Sequence, residues 1–159
     1  MRRASNAEGV PAPLVLLDTN VIVAALAEAH EHHRPSLALF AAEPPLNMAV
    51  AAHCYAEAFT TLTRRGLSVP FQWPPGEAWA ALESVASVTR LVGLSPAQSF
   101  EAVRDFSASG QIGARIYDHM IGRAASACGA KILVTWNIGH FPRLGDGLEA
   151  RTPIEVLAA

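Results

Sequence analysis

Apolar positions along this chain fall into two kinds of run. Leu14-Val15-Leu16-Leu17 and Lys131-Ile132-Leu133-Val134-Thr135 hold short, unbroken aliphatic stretches between polar residues or proline. They are too short for helices and do not alternate, so they read as strands buried on both faces of a parallel sheet. Leu46 to Val50 reads as another short strand, Val88 to Leu94 as a weaker one, and Leu148 to Thr152 as an edge strand. Elsewhere the apolar residues recur at helical spacing. One helix runs through Val21 to Leu26, a short one through Ser36 to Ala42, and a third from Ala52 to Arg65 with Tyr55, Ala58, Phe59 and Leu62 inward. Others cover Glu77 to Ser87 (Trp79, Leu82, Val85) and the stretch after a Ser95-Pro96-Ala97-Gln98 capping box (Phe100, Val103, Phe106). Another spans Gly113 to Cys128 (Ile116, Tyr117, Met120, Ile121, Ala124, Ala127), and Pro153 opens a last short helix. Alternating strands and helices without repeat or linker predict one three-layer α/β domain over 14–159, its mainly parallel sheet of about five strands flanked by helices. Residues 1–13 read as a flexible extension.

In open parallel sheets ligands gather beyond the carboxyl ends of the strands. Asp18, Thr19 and Asn20 emerge at such an end, and Thr135 and Asn137 at another. A helix starts directly after Asp18, so spacing alone leaves that residue as either a helix cap or the hub of a site. Glu57 falls with Thr61 and Arg64 opposite the apolar stripe of its helix, which periodicity reads as a solvated face. Asp118 lies at the edge of its stripe, near Arg115 and one turn before Gly122. Aspartate is a poor helix former, so an outside partner would explain its place.

Composition narrows the classes. With 159 residues and 51% hydrophobic content the chain suits one folded domain with a sizeable core. It has no apolar stretch of signal-peptide or membrane-span length, so a cytoplasmic protein is expected. A net charge of -2 gives no global basic field, so nucleic acid would need a local patch or metal ions. Cys54 and Cys128, without ligand-type or redox spacing, read as buried reduced thiols. The turn His30-Glu31-His32-His33 reads as solvated imidazoles rather than a zinc site. Leu67 to Gly76, rich in proline and aromatics, reads as a projecting loop. Nucleophile elbows, phosphate loops and dinucleotide turns are absent from the sequence, and a phospho-aspartate site lacks its second acid, since Asn20 stands there.

What remains is a set of acids on separate elements, Asp18, Glu57 and Asp118. If they converge, their repulsion must be relieved by protons or a cation, and hard oxygen donors select magnesium or manganese. Such a centre suits phosphodiester hydrolysis.

The segments Leu-Leu-Asp-Thr-Asn-Val at the first strand, Tyr55-Ala56-Glu57-Ala58-Phe59 through Leu62-Thr63-Arg64, Ile116-Tyr117-Asp118-His119, and Leu133-Val134-Thr135-Trp136-Asn137 leading to His140-Phe141 stand in a specific joint order. In that order the chain resembles a PIN domain, in particular the VapC-type toxins of toxin-antitoxin pairs, from about Leu14 to Leu157. The resemblance implies a PIN-like, Rossmann-like fold and a Mg2+- or Mn2+-dependent endoribonuclease. It makes Asp18, Glu57 and Asp118 metal ligands, with Thr19 or Asn20 orienting the first and Thr135 supporting; capping would then pass to Thr19 or Asn20. Where the family often has a fourth acid this chain has Asn137, which implies a single well-held ion. The resemblance also implies a homodimer, a small cognate antitoxin and an RNA substrate. Arg64, Arg65, Arg115 and Arg123 are candidates for phosphate contact or for salt bridges with neighbouring acids, Arg123 favouring a surface role. The Val69 to Trp73 segment suits either subunit or RNA contact, or plain packing. The alternative is a catalytically weak PIN module that binds RNA or a protein, made plausible by Asn137.

Overall fold

The computed structural model describes residues 12–66, 70–142, 144–145 and 147–159. The N-terminal extension up to residue 11, Leu67 to Val69, and Asp146 of the Gly145-Asp146-Gly147 loop lie outside the described residues. Five strands, β1 (Leu14–Leu17), β2 (Asn47–Ala51), β3 (Arg90–Val92), β4 (Ile132–Val134) and β5 (Glu149–Arg151), form one sheet in the order β3-β2-β1-β4-β5. All four pairings are parallel. Every residue of β1 is buried, as expected for a central strand covered on both faces. The ladder outlasts the formal strands: Lys131 N–H donates to the Leu14 carbonyl at 2.9 Å and Thr135 N–H to the Arg151 carbonyl at 2.9 Å.

Helices α1 (Thr19–Leu26), α2 (His33–Ala38), α3 (Ala52–Thr63), α4 (Pro75–Ser87), α5 (Pro96–Ala108), α6 (Arg115–Ala127) and α7 (Pro153–Leu157) cover the sheet and its ends. The capping box at Ser95 and Gln98 forms with both bonds in place, and a second one joins Thr152 and Glu155. α3 stops at Thr63, two residues short of Arg65, because the chain folds back and Trp73 N–H takes the Leu62 carbonyl at 2.8 Å. No described helix is long and apolar enough to cross a membrane.

Three expectations are corrected. The apolar stripes of α4, α5 and α6 are wider than what one neighbour covers: Trp79 (61% exposed), Phe100 (79%), Val103 and Tyr117 face outward, as does Ala127. Burial is carried instead by Ala78, Leu82 and Val85, by Ala102 and Phe106, and by Ile121, Ala124 and Ala125. The histidine turn is built in rather than solvated, since His32 stacks on Trp136 with centroids 3.9 Å apart and the His33 Nδ1 lies 3.0 Å from the Ala24 carbonyl. The segment after residue 69 packs rather than projects: Phe71 stacks on His30, and Arg65 donates to the Gln72 carbonyl at 2.8 Å.

The order β3-β2-β1-β4-β5 reverses direction at β1, whose neighbours on either side are reached by separate crossovers. The crevice between the carboxyl ends of β1 and β4 is therefore the place where such sheets accept ligands.

Candidate active site

Asp18 follows β1 and continues its ladder, donating its N–H to the Val134 carbonyl at 3.0 Å. It occupies the N-cap position of α1, and its backbone carbonyl accepts from Val21 and Ile22, but its carboxylate caps nothing. Neither Thr19 nor Asn20 takes over capping, because both lie inside the first turn with their side chains directed to the site. Asn20 Nδ2 donates to Asp18 Oδ2 at 2.8 Å and to Thr135 Oγ1 at 3.1 Å, while Asn20 Oδ1 accepts from Trp136 N–H at 3.1 Å. Thr135, fully buried, donates its hydroxyl to Asp18 Oδ2 at 2.7 Å and accepts from Asn137 N–H at 3.0 Å. This network fixes the end of β1 against the end of β4.

Glu57 reaches the same crevice from α3, where Thr19 Oγ1 approaches its Oε1 at 3.4 Å. Asp118 arrives from the first turn of α6. Asp18, Thr19, Asn20, Glu57, Asp118 and Asn137 all line one open cavity of about 290 Å³. Glu57 is thus not a solvated helix face but a wall of the crevice.

The electrostatics follow from this crowding. Asp18 is 4% exposed, and burial pushes its carboxyl up to about 6; the Thr135 hydrogen bond opposes that rise and the Asp118 charge adds to it. Glu57 is raised by burial and by the Asp18 charge, with Thr19 opposing. Asp18 and Glu57 are thus held at a cost that a cation would relieve, and the donors are hard oxygens of the kind magnesium and manganese take. On the chemistry of the donor set, the residues fit such an ion.

The three carboxylates are nevertheless not drawn together at one point. Among the described residues, the group of three His, Cys, Asp or Glu side chains whose ligand atoms all fall within 4.8 Å of one another is His53, Cys54 and Glu57. Asp118 is held aside, its Oδ2 lying 2.9 Å from His140 Nδ1 and 3.6 Å from Arg115 Nε. His140 follows Asn137 in the turn after β4, 22 residues from its partner. Sequence reasoning carried His140 only as the end of a motif and gave no weight to His53; nothing in the local spacing marks the first, whereas the His53-to-Glu57 interval of one helical turn does mark the second.

Of the arginines singled out, Arg115 lies at the site and also donates to the His140 carbonyl at 3.4 Å. Arg64 and Arg65 are exposed at the end of α3 and do not line the cavity. Arg123 is engaged by Asp105 at 2.8 Å. A second cavity of about 400 Å³ opens on the far side of Asp118, lined in part by Arg115, His119, Arg123 and His140.

The family model described as the PIN domain matches residues 15–146. Ribonuclease VapC40 of Mycobacterium tuberculosis is 33% identical over 123 residues, which cover 76% of this chain and 84% of that protein. The crystal structure of VapC20 of Mycobacterium tuberculosis, a toxin that cleaves the sarcin-ricin loop, aligns with a TM-score of 0.59 at 18% identity, covering 75% of this chain and 86% of that one. VapBC2 of Rickettsia felis, bound to a DNA fragment from its promoter, aligns with a TM-score of 0.59 at 21% identity over 87% of this chain and 98% of that one. At these identities the likeness to the two solved structures is one of fold.

Proposed function

The chain belongs to the PIN-domain family, and we propose that it is a Mg2+- or Mn2+-dependent endoribonuclease acting as the toxin of a toxin-antitoxin pair. The observation that carries this reading is the convergence of Asp18, Glu57, Asp118 and Asn137, from four separate segments, on one cavity at the sheet's switch point. The 33% identity to a ribonuclease over most of the chain supports the reaction class.

Asp18, Glu57 and Asp118 would hold the cation, and Asn137 would add a neutral oxygen. A divalent ion there supplies positive charge to the phosphodiester and acidifies an attacking water. The protein's own part is orientation. Thr135 and Asn20 aim one oxygen of Asp18, while Arg115 stands beside the cavity as a fork for a phosphate oxygen. The cavity beyond Asp118 gives room for a nucleotide flanking the scissile bond. Exposed apolar side chains such as Phe100 and Val103 on α5 suit a partner surface, either a second copy or the antitoxin.

The test uses purified protein, structured RNA and magnesium or manganese, with chelator and Asp18→Ala as controls. Cleavage that needs the metal and vanishes in Asp18→Ala is expected; cleavage persisting in Asp18→Ala would remove the site. The second reading, a weakly catalytic module that binds RNA or protein, is favoured by Asn137 and by the hold of His140 on Asp118. Retained RNA binding without cleavage would select it.

A further inference from the structure

Glu57 faces two donor sets of different chemistry. Toward the cavity it joins Asp18 and Asp118, all hard oxygens. Along its own helix it meets His53, whose Nε2 lies 3.9 Å from Glu57 Oε1, and Cys54, whose Sγ lies 3.9 Å from the same His53 nitrogen. One nitrogen, one sulfur and one oxygen lie within 4.8 Å of one another, three donor types that zinc takes together in tetrahedral sites. The His-to-Glu interval of one helical turn fixes two of those corners on a rigid element. The His53 and Glu57 side chains are 22% and 30% exposed, so a cation has a way in and a water has a place at the fourth corner.

We propose that His53, Cys54 and Glu57 form a second cation site, selective for zinc over magnesium, whose occupation inhibits the enzyme by withdrawing Glu57 from the neighbouring acids. The zinc-binding part stands on the geometry of α3 alone; the inhibitory part rests on the ribonuclease reading.

Selectivity follows from the thiol. Cys54 brings a sulfur into the cluster beside the His53 nitrogen and the Glu57 oxygen. Magnesium has no use for such a ligand, whereas a thiophilic cation deprotonates a coordinating thiol outright. Inhibition follows from geometry, because His53 and Thr19 both approach the same oxygen, Glu57 Oε1. An ion bonded on the His53 side pulls that oxygen away from Thr19 and from the crevice.

The experiment titrates the metal-free full chain with cobalt(II) as a spectroscopic stand-in for zinc. Expected are a thiolate-to-cobalt absorption in the near ultraviolet and tetrahedral visible bands, both abolished by one equivalent of zinc. The near-ultraviolet absorption is expected to be absent in Cys54→Ala, and His53→Gln is expected to bind at least about tenfold more weakly. Because Cys54 is a core residue and its replacement could unfold the chain, the substitution of half-buried His53, His53→Gln, carries the decision. With RNA and magnesium present, micromolar zinc should slow the wild type about tenfold or more and should slow His53→Gln far less, each relative to its own zinc-free rate. A wild-type cobalt spectrum without the thiolate band would overturn the site, and equal zinc sensitivity of wild type and His53→Gln would overturn the inhibition. Absence of cleavage with magnesium alone would count against the ribonuclease reading instead, and the cobalt spectrum would still decide the site.

Discussion

His140 Nδ1 stands 2.9 Å from Asp118 Oδ2, and this contact joins the turn after β4 to the first turn of α6. The Asp118 carboxylate, half-buried at the crevice, has several rotamers open to it, and the imidazole selects one. His140→Gln should therefore lower metal-dependent cleavage about tenfold and raise the magnesium needed for half-maximal rate, as for residues that orient a ligand. Rates across a magnesium series for the two proteins check this; a lower rate with an unchanged magnesium requirement would place His140 in substrate contact.

Asp18 should carry an activity gain and a stability cost together. Its carboxyl is raised from 3.8 to about 6 on folding. The folded state then binds more protons at this group between those values, so Asp18's contribution to stability is greatest below about pH 4 and is lost as pH rises through 6. The shift corresponds to about 3 kcal/mol. Asp18→Asn keeps an oxygen to accept from Thr135 and Asn20 and carries no charge, so at pH 8 with chelator it should be more stable than wild type by about 1 to 3 kcal/mol while losing cleavage. Urea denaturation of both proteins at pH 4 and 8 tests the sign: the difference should shrink at the lower pH.

Thr135→Val removes a buried hydroxyl that serves Asp18, Asn20 and Asn137 at once while keeping the side-chain shape. The three partners are left short of a bond, and the expected loss is about 2 to 3 kcal/mol, measured as a lower urea midpoint at constant slope.

Asn137→Asp adds a charge at a position that already lines the cavity with Asp18, Glu57 and Asp118. Magnesium affinity should rise several-fold, read by isothermal titration. The metal-free protein should become less stable, because another carboxylate joins the ones that already repel.

Phe100, 79% exposed on α5, is the largest test of the partner surface. Phe100→Glu should weaken self-association in sedimentation velocity without altering the circular dichroism spectrum. An unchanged oligomeric state together with lost antitoxin binding would assign the face to the antitoxin instead.

The sheet was legible in the chain because a central parallel strand must be apolar on both faces, and the runs at Leu14–Leu17 and Ile132–Val134 have no other reading of comparable length. The capping box at Ser95 was equally plain, since both of its bonds are local. The outward turn of Trp79, Phe100 and Val103 was hidden, because an apolar stripe marks what prefers to leave water and not which surface covers it. Asp18, Glu57 and Asp118 could be named from their motifs, but the hold of His140 on Asp118 spans two elements and leaves no trace in spacing. The packing of the histidine turn leaves no local mark for a related reason: its stacking partner, Trp136, lies about a hundred residues on.

The bond from Thr135 to Asp18 spans 117 residues of sequence. Synthesis runs from the N-terminus, so Asp18 leaves the ribosome long before the strand that locks it is made. Until β4 emerges and slides in beside β1, the first acid of the site has neither its neighbour strand nor its hydroxyl. The hub of the site is therefore set by the closing of the sheet and not by the segment that carries Asp18, so the acid takes its place as the β1–β4 pair forms.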